Sequence, residues 1–135
     1  MQARLMHTML RVLDLPRALA FYVDLLGMRV LHSTDYPAGR FSNTFIGYDT
    51  EDQGAVLELT HNWDRLQPYV QGDAWGHVAI GVDDVHSCVQ RLRAKGVVVV
   101  REPGPMAGGA RLIAFVLDPD GYRIELLQSA SGRVA

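Results

Sequence analysis

"HTMLRVLDL" at residues 7–15 and "GHVAIGVDDV" at residues 76–85 are two versions of one short phrase. Each sets a histidine at the head of an apolar run and closes on acidic residues ahead of an amphipathic segment. The apolar runs read as half-buried strands. Asp14 stands where it can cap a helix with Pro16 in the first turn, and Gly27 where it can end it. Leu15, Ala18, Leu19, Tyr22, Leu25 and Leu26 make that helix's apolar stripe. In the second copy Asp83 or Asp84 caps, Val85, Cys88, Val89 and Leu92 make the stripe, and Gly96 ends it. His7 and His77 are 70 residues apart and the two glycines 69, so strand and helix repeat in register.

Strand-like runs follow each helix. The first half offers "MRVLHS" (28–33), "RFSNTFIGY" (40–48) and "AVLELTHN" (55–62), and the second "VVVVRE" (97–102), "ARLIAFVL" (110–117) and "YRIELLQ" (122–128). "DPDGY" at 118–122 is a turn in which proline presets φ and Asp-Gly supplies the positions that need positive φ. "EPGPMAGGA" at 102–110 is expected to be a loop. Each half therefore reads β-α-β-β-β. The expectation is an α+β protein of two such modules, 1–64 and 65–135, with "WDRLQPYVQGDAW" (63–75) as the linker and "SASGRVA" (129–135) as a mobile tail.

Composition narrows the partners. The 135 residues are 48% hydrophobic and 21% charged, a globular balance. A net charge of −2 gives no electrostatic footprint for nucleic acid, and no Lys/Arg run points to a membrane surface. The apolar runs are too short to span a bilayer. "MQARLMHTML" lacks the apolar region and cleavage site of a signal peptide. One cysteine, Cys88, cannot form an internal disulfide, which fits a reducing cytoplasm. On the apolar helix face it reads as buried filler, not as a nucleophile.

The polar residues can then be placed. Side chains alternate across a strand, so His7, Met9 and Arg11 share a face opposite Thr8, Leu10 and Val12. In the second copy His77, Ala79 and Gly81 lie opposite Val78, Ile80 and Val82. The more apolar face belongs under the helix, leaving both histidines on the other side. Glu58 in "LEL" and Glu125 in "IEL" are 67 residues apart, and their apolar neighbours put both carboxylates on the histidine side. A lone strand histidine is ordinary. A half-buried carboxylate is costly unless paired or metal-bound. Two His and two Glu at matched positions of a repeat are hard to explain by packing. Two-fold pairing of the halves would gather them as four ligands in a shared cup. Nitrogen and carboxylate donors suit Ni²⁺, Co²⁺, Zn²⁺ or Mn²⁺. His32, His61 and His86 have no repeat partner and read as surface or wall residues. Arg11 and Asn62 each follow a ligand candidate by four residues, so both fall on the metal-facing side.

"HTMLRVLDLPRALAFYVDLLGM", "LELTHNW", "GHVAIGV" and "AFVLDPDGYRIELL" together resemble glyoxalase I (lactoylglutathione lyase) of the vicinal oxygen chelate superfamily, over roughly residues 5–128. The resemblance implies paired βαβββ modules with mixed sheets and the metal ligands His7, Glu58, His77 and Glu125. It implies a homodimer in which the N-terminal module of one subunit faces the C-terminal module of the other. The short chain is similar to the bacterial class that prefers Ni²⁺ or Co²⁺ to Zn²⁺. The implied reaction isomerises the glutathione–methylglyoxal hemithioacetal to S-D-lactoylglutathione through an enediolate, with Glu125 as base and Glu58 serving the other stereochemistry. The resemblance also assigns Arg11 and Asn62 to glutathione contacts. Relatives often carry a lysine in the loop matching "GPMAGG"; here Ala107 stands there, and Arg111 is the substitute cation. Phe21, Trp63 and Trp75 belong to the pocket wall or the core.

Other functions fit the same architecture. Extradiol dioxygenation uses two His and one carboxylate on Fe(II), and Glu58 would block an open position there. An acyl-thioester epimerase or a metal-dependent thiol transferase would use similar carboxylates. A drug-sequestering module would need no metal and no His/Glu set.

Overall fold

The structure is a computed structural model that describes residues 1–129; the rest of the tail expected to be mobile, 130–135, lies outside the described residues. Two compact units divide the chain, Met1–Val70 and Gln71–Ala135, with the boundary inside the segment 63–75.

In the first unit, β1 (His7–Arg11) leads to α1 (Leu15–Leu19), then to β2 (Arg29–Tyr36), β3 (Phe41–Gly47) and β4 (Val56–Asn62). The sheet order is β1-β4-β3-β2, with β1 parallel to β4 and the rest antiparallel. The second unit repeats this with β5 (His77–Val82), α2 (Val85–Ala94), β6 (Val99–Pro105), β7 (Leu112–Leu117) and β8 (Arg123–Gln128), in the order β5-β8-β7-β6. A parallel first and last strand needs a crossover, which the helix supplies. Among the described residues no helix is long and apolar enough to cross a membrane.

The helix starts follow from their caps. Asp14 Oδ1 accepts from the Arg17 N–H at 3.1 Å, and Asp84 Oδ1 accepts from the Ser87 N–H at 3.0 Å. Gly27 and Gly96 close the two helical segments at φ of 79° and 86°, the left-handed region where a Cβ is costly. The first helix does not keep one α-helical stripe. After Leu19 it widens into a π-helical turn, Ala20–Leu25, in which the Leu26 N–H reaches the Phe21 carbonyl at 3.0 Å. The wider turn lets the consecutive Phe21 and Tyr22 both be buried, packed edge to face at 4.9 Å.

The second departure is in β6. Glycine and proline suggest a loop from residue 102, yet the strand runs on to Pro105 through two irregularities in register. Arg101 accounts for this: its guanidinium donates to the carbonyls of Gly104, Pro105 and Ile113 at 2.7–3.0 Å, replacing bonds that the irregular ladder lacks. The "DPDGY" turn uses only Gly121 at positive φ, 86°. Asp118 Oδ1 accepts from the N–H groups of Asp120 and Tyr122, both at 2.9 Å, so the aspartate side chain and not a second left-handed residue closes it.

The Asp84 cap has a measurable consequence. Hydrogen bonds from the Ser87 N–H and hydroxyl hold its carboxyl below the usual carboxylate range. A depressed folded pKa contributes stability above the unfolded value of about 3.9 and loses it as pH falls through the folded one. Asp84→Ala is therefore expected to lower Tm at neutral pH, with the gap to the parent protein closing in acid. A gap in Tm that is constant from neutral to strongly acidic pH would contradict this.

Candidate metal centre

Strand alternation decides which side chains can meet. On β1 Leu10 is buried and His7 exposed, and Val12, just past the strand, is buried too; on β5, Ile80 is buried and His77 exposed. Leu57 and Leu59 flank Glu58 and are buried, as Ile124 and Leu126 are around Glu125. Both carboxylates are thus turned to the face that carries the histidines.

On that face each unit brings one imidazole to one carboxylate. His7 Nε2 lies 3.6 Å from Glu58 Oε1, and His77 Nε2 lies 3.2 Å from Glu125 Oε1. The register makes this local: Met9 is the strand neighbour of Glu58, and Ala79 that of Glu125. The carboxylate side chains are only 15% and 12% exposed, which makes an unpartnered charge there expensive.

Sequence reading missed a third member of the repeat. Phe45 is the strand neighbour of Glu58 and Phe115 that of Glu125. Each phenyl ring meets its histidine edge to face, with centroids 5.2 Å apart in both units. The two phenylalanines are 70 residues apart, the same offset as the histidines, and that offset was the available signal. The rings differ in what covers them: His32 stacks on Phe45 at 4.4 Å, whereas the Arg123 guanidinium lies over Phe115 at 4.6 Å. His32 is thereby part of the aromatic wall beside His7. A second missed residue is Glu51, whose Oε1 lies 2.8 Å from His7 Nδ1.

The other expected residues fall into place as follows. Arg11 is exposed on β1, and Asn62 ends β4 with its Nδ2 donating to Tyr69 Oη at 3.0 Å. Arg111 is exposed in the second unit and donates from Nε to the Gln128 carbonyl at 3.0 Å. Ala107 is exposed in the turn after β6. Phe21 is core. Trp63 donates to Ser42 Oγ at 2.8 Å, and Trp75 meets Tyr122 edge to face at 5.9 Å. Cys88 is buried, and burial pushes its thiol pKa up, the opposite of what a nucleophile needs. Among the described residues no three or more His, Cys, Asp or Glu form a group that could hold a metal ion.

The family model of the Glyoxalase/Bleomycin resistance protein/Dioxygenase superfamily matches residues 4–126. A "Probable lactoylglutathione lyase" of Synechocystis is 54% identical over 127 residues, covering 94% of this chain and 96% of that protein. The lactoylglutathione lyase of Neisseria meningitidis serogroup B is 53% identical over 129 residues, covering 96% and 93%. Among solved structures, glyoxalase I from Zea mays matches with a TM-score of 0.89 and 40% identity over 95% of this chain, which spans 45% of the maize chain. The trypanothione-dependent glyoxalase I of Leishmania major matches with a TM-score of 0.84 and 43% identity, covering 94% and 87%. The repeated β-α-β-β-β units and the matches along nearly the whole chain lead to one assignment: it belongs to the Glyoxalase/Bleomycin resistance protein/Dioxygenase superfamily and, within it, to the lactoylglutathione lyases (glyoxalase I).

Proposed function

We propose that this protein isomerises the hemithioacetal of glutathione and methylglyoxal to S-D-lactoylglutathione, using a divalent metal ion held by His7, Glu58, His77 and Glu125. The observation that carries the reading is the duplicated contact of imidazole Nε2 with a half-buried carboxylate, one per unit, at 3.6 and 3.2 Å. A neutral imidazole lone pair facing a carboxylate oxygen is repulsive unless a proton or a cation lies between them. Imidazole nitrogen and carboxylate oxygen are also the donor set that borderline divalent ions take. The residues present fit the group. Two donors fall short of a closed coordination sphere, so the site draws on both pairs. The reading is supported by the lactoylglutathione lyase name that relatives of 53–54% identity bear. Nickel or cobalt is the proposed metal, and the active form a two-fold homodimer in the cytoplasm whose sites mix ligands from both subunits.

A metal ion bound there supplies a Lewis acid for the substrate's oxygens, a contribution of about several kcal/mol. The chain's own groups do the rest. Glu125 takes the proton from the carbon beside the carbonyl and returns it to the neighbouring carbon. Glu58, its counterpart in the repeat, serves the opposite stereochemistry. Phe45 and Phe115 shield one side of each imidazole from water. Arg11 supplies a cation for glutathione. Asn62 spends one amide hydrogen on Tyr69 and keeps its carbonyl and other N–H for the tripeptide. Arg111, tied to the end of β8 through Nε, leaves its terminal nitrogens for the charge that Ala107 does not provide.

Protein stripped with a chelator is expected to lose hemithioacetal isomerisation, and added Ni²⁺ to restore it. Full turnover in demonstrably metal-free protein would overturn the reading. Turnover that returns only with a different thiol in the hemithioacetal would reassign the co-substrate.

A further inference from the structure

The two imidazole–carboxylate pairs are not equivalent. His77 meets Glu125 through Nε2, and among the described residues no second carboxylate reaches its Nδ1. His7 meets Glu58 through Nε2 and also has Glu51 Oε1 at 2.8 Å from Nδ1. Glu51 comes from the connection between β3 and β4, 44 residues away in sequence and outside both strands.

The connection is built to present that side chain. The Gln53 and Gly54 N–H groups both reach back to the Thr50 carbonyl, at 2.9 and 3.1 Å, making a tight turn with Glu51 at its shoulder. The Thr50 hydroxyl donates to Asp52, which holds the Asp52 carboxyl below its usual range. Arg4 Nη1 donates to the Glu51 carbonyl at 2.5 Å and ties the same residue to the segment before β1. The Glu51 side chain is 29% exposed, less than the imidazole it meets at 36%.

We infer that Glu51 is a positioning residue which fixes His7 as the Nδ1–H tautomer and aims its Nε2 lone pair at Glu58. A carboxylate only accepts, so a 2.8 Å contact with an ionised Glu51 requires the hydrogen on Nδ1. Nε2 then carries a lone pair, as a metal ligand must. Carboxylates in this position fix ring orientation and raise the basicity of metal-bound histidines. The T-shaped contact with Phe45 limits the ring from its side, so besides its Glu58 contact His7 is held by both Glu51 and Phe45, whereas among the described residues His77 has, besides Glu125, the matching contact with Phe115. The N-terminal pair is thus set for a cation before one arrives, and the C-terminal pair is adaptable. This inference rests on the four-ligand reading above.

The test has two readouts, neither of which is turnover. Long-range ¹H–¹⁵N correlation of the metal-free protein, above the pH at which imidazole protonates, reports the tautomer of His7. Competition with a chelator reports Ni²⁺ affinity. Wild-type His7 is expected as Nδ1–H. Glu51→Ala should release that tautomer, leave the His77 signals unchanged and weaken Ni²⁺ binding about 10- to 100-fold. Glu51→Gln retains an accepting oxygen, so it should keep the tautomer and recover most of the affinity.

Three results would overturn the inference. One is a wild-type His7 protonated on Nε2. Another is unchanged affinity in Glu51→Ala. The third is weakened binding in Glu51→Ala with His7 still Nδ1–H, which would make Glu51 a remote charge and nothing more. Wild-type protein that takes up no Ni²⁺ at all would instead bring down the four-ligand reading, and this inference with it.

Discussion

Glu125→Gln, assayed with Ni²⁺ saturating, should lower kcat for the hemithioacetal by about 10²- to 10⁴-fold, the range that a positioned general base contributes. The substitution keeps an oxygen that can bind a metal and removes the basicity that lets the group take a proton. Glu125 lies in β8 between the fully buried Ile124 and Leu126, so the fold around the amide should be unchanged. Saturation with metal separates the two roles, because a pure ligand loss is repaired by more metal and a lost base is not. Glu58→Gln is the control from the matching place in β4 and should remain active towards the preferred stereoisomer. A Glu125→Gln protein with near wild-type kcat would make that carboxylate a ligand alone. Inactivity confined to Glu58→Gln would move the base to the N-terminal unit.

What could be read from the sequence follows what is periodic in it. The fold rests on two caps, two left-handed glycines and alternating strands, and each leaves a local signature. Asp14 and Asp84 do cap, Gly27 and Gly96 do close the helical segments, and the buried Leu10, Val12 and Ile80 do turn the histidine face outward. Metal-ligand candidates were legible for the same reason: a repeat that sets the two His 70 and the two Glu 67 residues apart multiplies the weight of each.

What was not legible depends on contacts that have no period. The π-helical turn slips the register after Leu19, so Phe21, read from the sequence as pocket wall or core, is core beside Tyr22 although it stands outside the α-helical stripe. β6 survives a Gly-Pro sequence only because one guanidinium, that of Arg101, serves three carbonyls around the irregularity. Glu51 sits in a polar turn where an acidic residue is unremarkable. Its meaning comes from the imidazole that folding brings to it.

The central claim is that one His/Glu pair from each kind of unit makes a metal site shared between subunits. Mixing two inactive variants, His7→Ala and His77→Ala, tests it most directly, with Ni²⁺ bound per heterodimer as the measurement. Each variant alone lacks one histidine at every site and should lose stoichiometric Ni²⁺ binding. In the mixed dimer one site lacks both histidines and the other regains all four ligands, so about one Ni²⁺ should return, with isomerase activity alongside it. Full Ni²⁺ retention in the two single variants, or no recovery in a verified heterodimer, would contradict the account.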